Sequence, residues 1–169
     1  RQTVGREYPV LVKMNCRDFI ENGLVVDDSL EVGAMLESEG IDAIELSGGV
    51  LVGGKLSPSR MGIKSEEKEA YFQDDAKAFK RKLRVPLILV GGNRSFQVAE
   101  RLISEGIADY ISMSRPLIRE PDLINRWRAG DLSKAACVSD NMCFRPAQKG
   151  EGIYCLTEER ERNSSKKLE

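Results

Sequence analysis

The chain has 169 residues, 26 lysines and arginines against 27 acidic residues, and no histidine. This length suits one ordinary domain, and the balanced charge gives no electrostatic reason to expect nucleic acid or an anionic membrane as partner. A chain without histidine cannot build Ser-His-Asp or Cys-His nucleophile systems, nor any zinc site that draws on imidazole.

No apolar run approaches the roughly 20 residues that span a bilayer, and Arg1–Glu7 is polar where a signal peptide needs an apolar stretch. The expected location is therefore cytoplasmic. In that compartment Cys16, Cys137, Cys143 and Cys155 are expected as reduced thiols or metal ligands rather than as disulfides.

Along the chain, Val10–Met14 is the first of four apolar, β-rich runs. It is too continuous for a half-exposed strand and too short for a helix, as strands covered on both faces of a parallel sheet are. Asp28–Glu39 places Leu30, Ala34 and Met35 on one face and stops at Gly40, which predicts a helix. Ala43–Leu46 is the second strand. Ser65–Leu83 opens with Ser-Glu-Glu-Lys, carries Ala70, Tyr71, Ala76 and Phe79, and is predicted as one amphipathic helix. Leu87–Val90 follows as the third strand. Ser95–Glu105 has Val98, Leu102 and Ile103 on a stripe that ends at Gly106, the pattern of a third helix. Tyr110–Met113 is the fourth strand, and Pro121–Arg128 begins with a proline that a first helical turn tolerates. Residues 131–157 read as an irregular, cysteine-containing extension, and 158–169 as a charged tail with too little apolar content to order itself.

Strand and helix thus alternate over residues 1–130, which indicates parallel strands with right-handed crossovers. Periodicity leaves both an open doubly wound sheet and a closed barrel in play. In either fold the site lies just after the strands, here at Lys13–Cys16, Ser47–Gly54, Gly91–Ser95 and Ser114–Pro116.

The turns Val90-Gly91-Gly92-Asn93-Arg94-Ser95 and Ser112-Met113-Ser114-Arg115-Pro116 read together as one anion site. Glycine lets backbone N–H groups approach a phosphate, a helix begins there with its positive dipole end, and Arg115 can hold phosphate oxygens through two donors. The competing reading has Gly91-Gly92 as a plain tight turn and Arg115 paired with an acidic neighbour. Lys13, at the end of an apolar strand, could face an electron-rich or anionic group in a barrel mouth, or simply pair with Glu45 on the next strand. The spacing Cys137-x5-Cys143-x11-Cys155 gathers three thiols in a loop-rich region, where a four-cysteine cluster would need one more ligand. Asp140 lies within the gap, either as an oxygen donor to iron or beside thiols that are structural or the remnant of a lost cluster.

Four segments together give the chain a resemblance to the second half of the old yellow enzyme-like NADH:flavin oxidoreductase/NADH oxidase family. They are Pro9–Asn15, Gly40–Gly49, Val90–Ser95 and the run from Ala108 through Ser114-Arg115-Pro116 to Leu123. The resemblance implies a (β/α)8 TIM barrel of which only the C-terminal four βα units are present, a half-barrel. It also implies FMN, with its phosphate on Gly91, Gly92, Ser114 and Arg115 and with Lys13 against the flavin N1–O2 edge. Ser114 stands where many members have glycine, which keeps the backbone donor and adds a side chain. Cluster-carrying members show Cys-x2-Cys-x2-Cys and a later fourth cysteine, and here the second of these is Asp140, so a [4Fe-4S] group does not follow from the resemblance.

The implied activity is hydride transfer from NAD(P)H through flavin to an alkene, a quinone or oxygen. The strands that carry the substrate-anchoring histidines or the tyrosine acid have no counterpart here, so catalytic residues are unassigned and the isolated chain is expected to be inactive. Two open edges and an exposed inner face lead to the expectation of a fragment that associates with its missing half or with a second copy. Two other readings remain: a phosphate-binding barrel of another class that uses Lys13 as a Schiff-base or acid/base group, and a non-catalytic half-barrel that dimerises.

Overall fold

The computed structural model describes residues 1–166. Strands β1 (Leu11–Asn15), β2 (Ala43–Ser47), β3 (Leu87–Leu89) and β4 (Tyr110–Ile111) form one parallel sheet in the order β1-β2-β3-β4. Lys13 lies opposite Glu45, Glu45 opposite Ile88, and Leu89 opposite Ile111. A doubly wound sheet reverses its strand order at a switch point, whereas a barrel adds strands in one direction. The sequential order is that of a barrel segment.

Helices α1 (Val26–Ser38), α2 (Gln73–Lys82) and α3 (Phe96–Ser104) follow the first three strands. Because strand side chains alternate between faces, Ile44, Leu46, Leu87 and Leu89 all point one way and meet Phe72, Phe79, Val98 and Leu102. Each fully buried side chain of this size contributes about 1.5–3 kcal/mol relative to exposure. Gly33 in α1 allows close packing, since a Cβ there would lie 2.7 Å from Leu83 Cδ1. The opposite face is open. It carries Leu11 (53 % exposed) and Tyr110 (60 %) beside the polar Lys13, Glu45 and Ser112, so it is mixed rather than uniformly apolar.

Two predicted segments take a different form. The single helix expected over Ser65–Leu83 is a 3-10 turn at Glu66–Lys68, a break, and then α2. Ala70 has a φ of 47° in the break, Tyr71 N–H goes to Gly91 O at 3.0 Å, and Glu69 turns inward. These tertiary bonds outcompete continuation of the helix. Past β4, a short helix α4 (Arg115–Arg119) precedes α5 (Leu123–Arg128), and the cysteine extension contains α6 (Phe144–Gln148). Where the sequence suggests a disordered charged tail from residue 158, the chain is helical as α7 (Leu156–Ser165), with no buried residue. The rest of that expectation, residues 167–169, lies outside the described residues. Among the described residues no helix is long and apolar enough to cross a membrane.

Candidate functional site

The turns after β3 and β4 meet at the C-terminal end of the sheet. Asn93, 3 % exposed, joins them: its Nδ2 donates to Leu89 O at 2.9 Å and to Ser112 O at 3.2 Å. Between the turns lies a cavity of about 60 Å³ whose lining includes Gly92, Asn93, Ser114, Arg115 and Tyr71. Among the described residues, the backbone N–H groups of Gly92, Asn93, Ser114 and Arg115 donate to no protein acceptor. Unpartnered N–H groups beside one cavity can donate to the oxygens of an anion.

The N–H groups of Arg94 and Ser95, just before α3, do not belong to this set. Glu69, 1 % exposed, accepts from Arg94 N–H (2.7 Å), Ser95 N–H (2.9 Å) and Ser95 Oγ (2.7 Å). The carboxylate therefore caps the helix and fixes the turn, and any anion is left with the donors earlier in the turn and those at the start of α4. Lys134 Nζ stands 3.4 Å from Glu69 and adds a compensating charge. Sequence reasoning missed this residue. Its one signal is an acidic side chain directly before the apolar Ala70-Tyr71-Phe72.

Arg115 is 9 % exposed, and its Nη1 donates to Arg60 O at 2.8 Å and to Asn141 Oδ1 at 2.7 Å. Its Nε and Nη2 have no protein acceptor among the described residues. Arg115 is thus anchored by one nitrogen with others to spare, and Asn141 and Arg60 are site residues that the sequence did not reveal. Arg60 itself lies against aromatic faces, 4.4 Å from the Tyr71 ring centre.

Gly91 and Gly92 have φ values of 135° and 79°. A Cβ on Gly92 would lie 2.7 Å from Tyr71 Cε1, and one on Gly91 3.0 Å from Phe72 Cδ2. Packing against two aromatic rings therefore requires glycine here whether or not an anion binds. Gly91 packs beside the cavity and Gly92 lines it.

Lys13 stands apart on the open face of the sheet, its Nζ 2.7 Å from Glu45 Oε1. The same oxygen accepts from Ser112 Oγ at 2.9 Å, which links Lys13 to the cavity through two side chains.

Cys137, Cys143 and Cys155 line a second, smaller hollow together with Asp140, Arg115 and Arg119. Burial, and next the neighbouring Cys137, push the Cys143 thiol up. Among the described residues, no three Cys, Asp or Glu side chains converge as ligands of a single ion. Cys16 is remote from this group, fully buried, and hydrogen-bonded to Asp75 Oδ2 at 3.3 Å. Burial and then the Asp75 charge raise its pKa to about 12.

Sequential βα units in one parallel sheet, with N–H donors and an arginine at the ends of the last two strands, define a segment of a βα barrel. The chain belongs to the NADH:flavin oxidoreductase / NADH oxidase family, whose model matches residues 1–132. It is 29 % identical over 171 residues to a 4,4'-dithiodibutanoate disulfide reductase of Rhodococcus erythropolis, covering 85 % of this chain and 42 % of that protein. It is 28 % identical over 145 residues to an NADH oxidase of Thermoanaerobacter brockii, covering 84 % of this chain and 21 % of the relative. Among solved structures, a 2-naphthoyl-CoA reductase in complex with 2-naphthoyl-CoA superposes with a TM-score of 0.74 at 25 % identity, covering 90 % of this chain and 23 % of that one. The chain thus spans less than half the length of these relatives.

Proposed function

We propose that this chain is the FMN-phosphate-holding part of an FMN-dependent NAD(P)H oxidoreductase. The observation that carries the reading is the set of unpartnered N–H groups of Gly92, Asn93, Ser114 and Arg115 around one cavity. Those donors and the free nitrogens of Arg115 match the acceptor oxygens of a phosphate monoester, so the residues present fit the group. Glu69 and Asn93 hold the two turns in place, and Tyr71 closes the cavity wall. Lys13, on the open face of the sheet, is the residue that family likeness sets against the flavin N1–O2 edge. Bound flavin supplies hydride acceptance from NAD(P)H and hydride donation to an alkene, a quinone or oxygen. Turnover needs the barrel strands that this chain lacks, supplied by the remaining half or by a second copy.

Titration of the 169-residue chain with FMN and with riboflavin, followed by flavin fluorescence and visible absorbance, tests the reading. FMN should bind more tightly than riboflavin, and Arg115→Ala should weaken FMN by about 1.5–3 kcal/mol while leaving riboflavin nearly unchanged. Equal binding of the two flavins, or none of either, would overturn the phosphate assignment.

A further inference from the structure

We infer that the cysteine extension holds no iron–sulfur cluster, and that Asp140 instead ties helix α7 to the body of the protein. The cluster-carrying pattern asks for four thiolates arranged around a core of eight iron and sulfur atoms. The space among Cys137, Cys143, Cys155 and Asp140 is about 10 Å³, room for about one water. The position of the second thiolate belongs to Asp140, and each of its oxygens accepts a hydrogen bond. Oδ2 accepts from Thr157 Oγ1 at 2.5 Å and Oδ1 from Met142 N–H at 3.1 Å. These bonds hold the carboxylate in place beside a space with no room for the rest of the core.

What those bonds accomplish follows from the burial of α7. None of its residues is fully buried, so it has no apolar anchor in the core. Its attachments are polar and lie around the cysteine hollow. Besides Asp140–Thr157, Arg119 donates from Nη1 to Cys155 Sγ at 3.6 Å and from Nη2 to Glu161 at 2.5 Å. Ser139 and Asn141, on either side of Asp140, have φ values of 55° and 61°. Asn141 continues inward, to Ser59 O at 2.7 Å and to Arg115. The loop that could have carried a thiolate is thus a strap from α7 to the core, fastened by a carboxylate.

Two measurements on the 169-residue chain decide this. Anaerobic incubation with ferrous iron, sulfide and a reductant, followed by desalting, should leave iron and acid-labile sulfide at background and no visible charge-transfer absorbance. A full cluster complement per chain would overturn the inference. In hydrogen exchange, Thr157→Val should speed exchange across 156–165 about 5-fold or more while peptides from the four strands keep their rates, and Thr157→Ser should restore the slow exchange. If Thr157→Val leaves exchange in α7 unchanged, or if Thr157→Ser fails to restore it, the tether is refuted.

Discussion

At the scale of single residues, the site depends on buried polar groups that contact no substrate. Glu69 is the clearest case, because three donors of the turn before α3 end on one carboxylate. Removing it leaves two backbone N–H groups buried without an acceptor, at about 1–3 kcal/mol each. Glu69→Ala should therefore lower stability by several kcal/mol in urea unfolding. Glu69→Gln keeps one acceptor oxygen and should lose clearly less. Equal losses would mean that the charge, rather than the capping geometry, is what the turn requires. The glycines carry the same lesson in reverse. Gly91-Gly92 is legible in the sequence as a phosphate turn, yet the rings of Tyr71 and Phe72 exclude a Cβ at those positions independently of any ligand.

At the scale of elements, two carboxylates that the sequence reading left without a role secure the starts of the strands. Asp42 immediately precedes β2 and accepts Val10 N–H at 2.6 Å beside an ion pair with Arg1. Asp109 immediately precedes β4 and accepts Leu87 N–H at 2.7 Å while pairing with Lys80 at 2.7 Å. The Val10 N–H, and next the Arg1 guanidinium, hold Asp42 below its ordinary value. Partial burial works the other way on Asp109, but the Lys80 ammonium and Leu87 N–H outweigh it and its pKa is lowered too. A carboxyl with a depressed folded pKa gives stability that is present above its unfolded value and lost as the pH falls through the folded one. Stability should therefore decline with acid from about pH 4 downward. Asp109→Asn should be less stable at pH 7 and show a shallower loss between pH 4 and pH 2, read by urea unfolding across that range. An unchanged acid slope would remove Asp109 from the account. The helix predicted over Ser65–Leu83 fails at this same scale, because helical periodicity cannot register that Tyr71 N–H and Glu69 are committed to the β3–α3 turn.

At the scale of the whole molecule, the sheet ends at β1 and β4, each with one edge unpaired among the described residues, and its inner face is open. Exposed Leu11 and Tyr110 sit there beside the Lys13–Glu45 pair, which favours burial against a matching surface. Sedimentation of the chain alone should give a mass near twice 18.8 kDa, and Leu11→Lys should return it to the monomer. A wild-type monomer with bound flavin would instead mean that the phosphate turns work without the rest of the barrel. The sequence by itself determined the alternation of strand and helix, the two glycine- and arginine-bearing turns after the last strands, and the family, because short apolar runs, glycines and a strand-end arginine are local signals. Only the tertiary structure decided that the strands follow one another in barrel order, that Glu69 claims the start of α3, and that Asp140 is bonded to Thr157. Each of these joins residues far apart in the chain or chooses among partners that local sequence leaves equivalent, and only packing makes that choice.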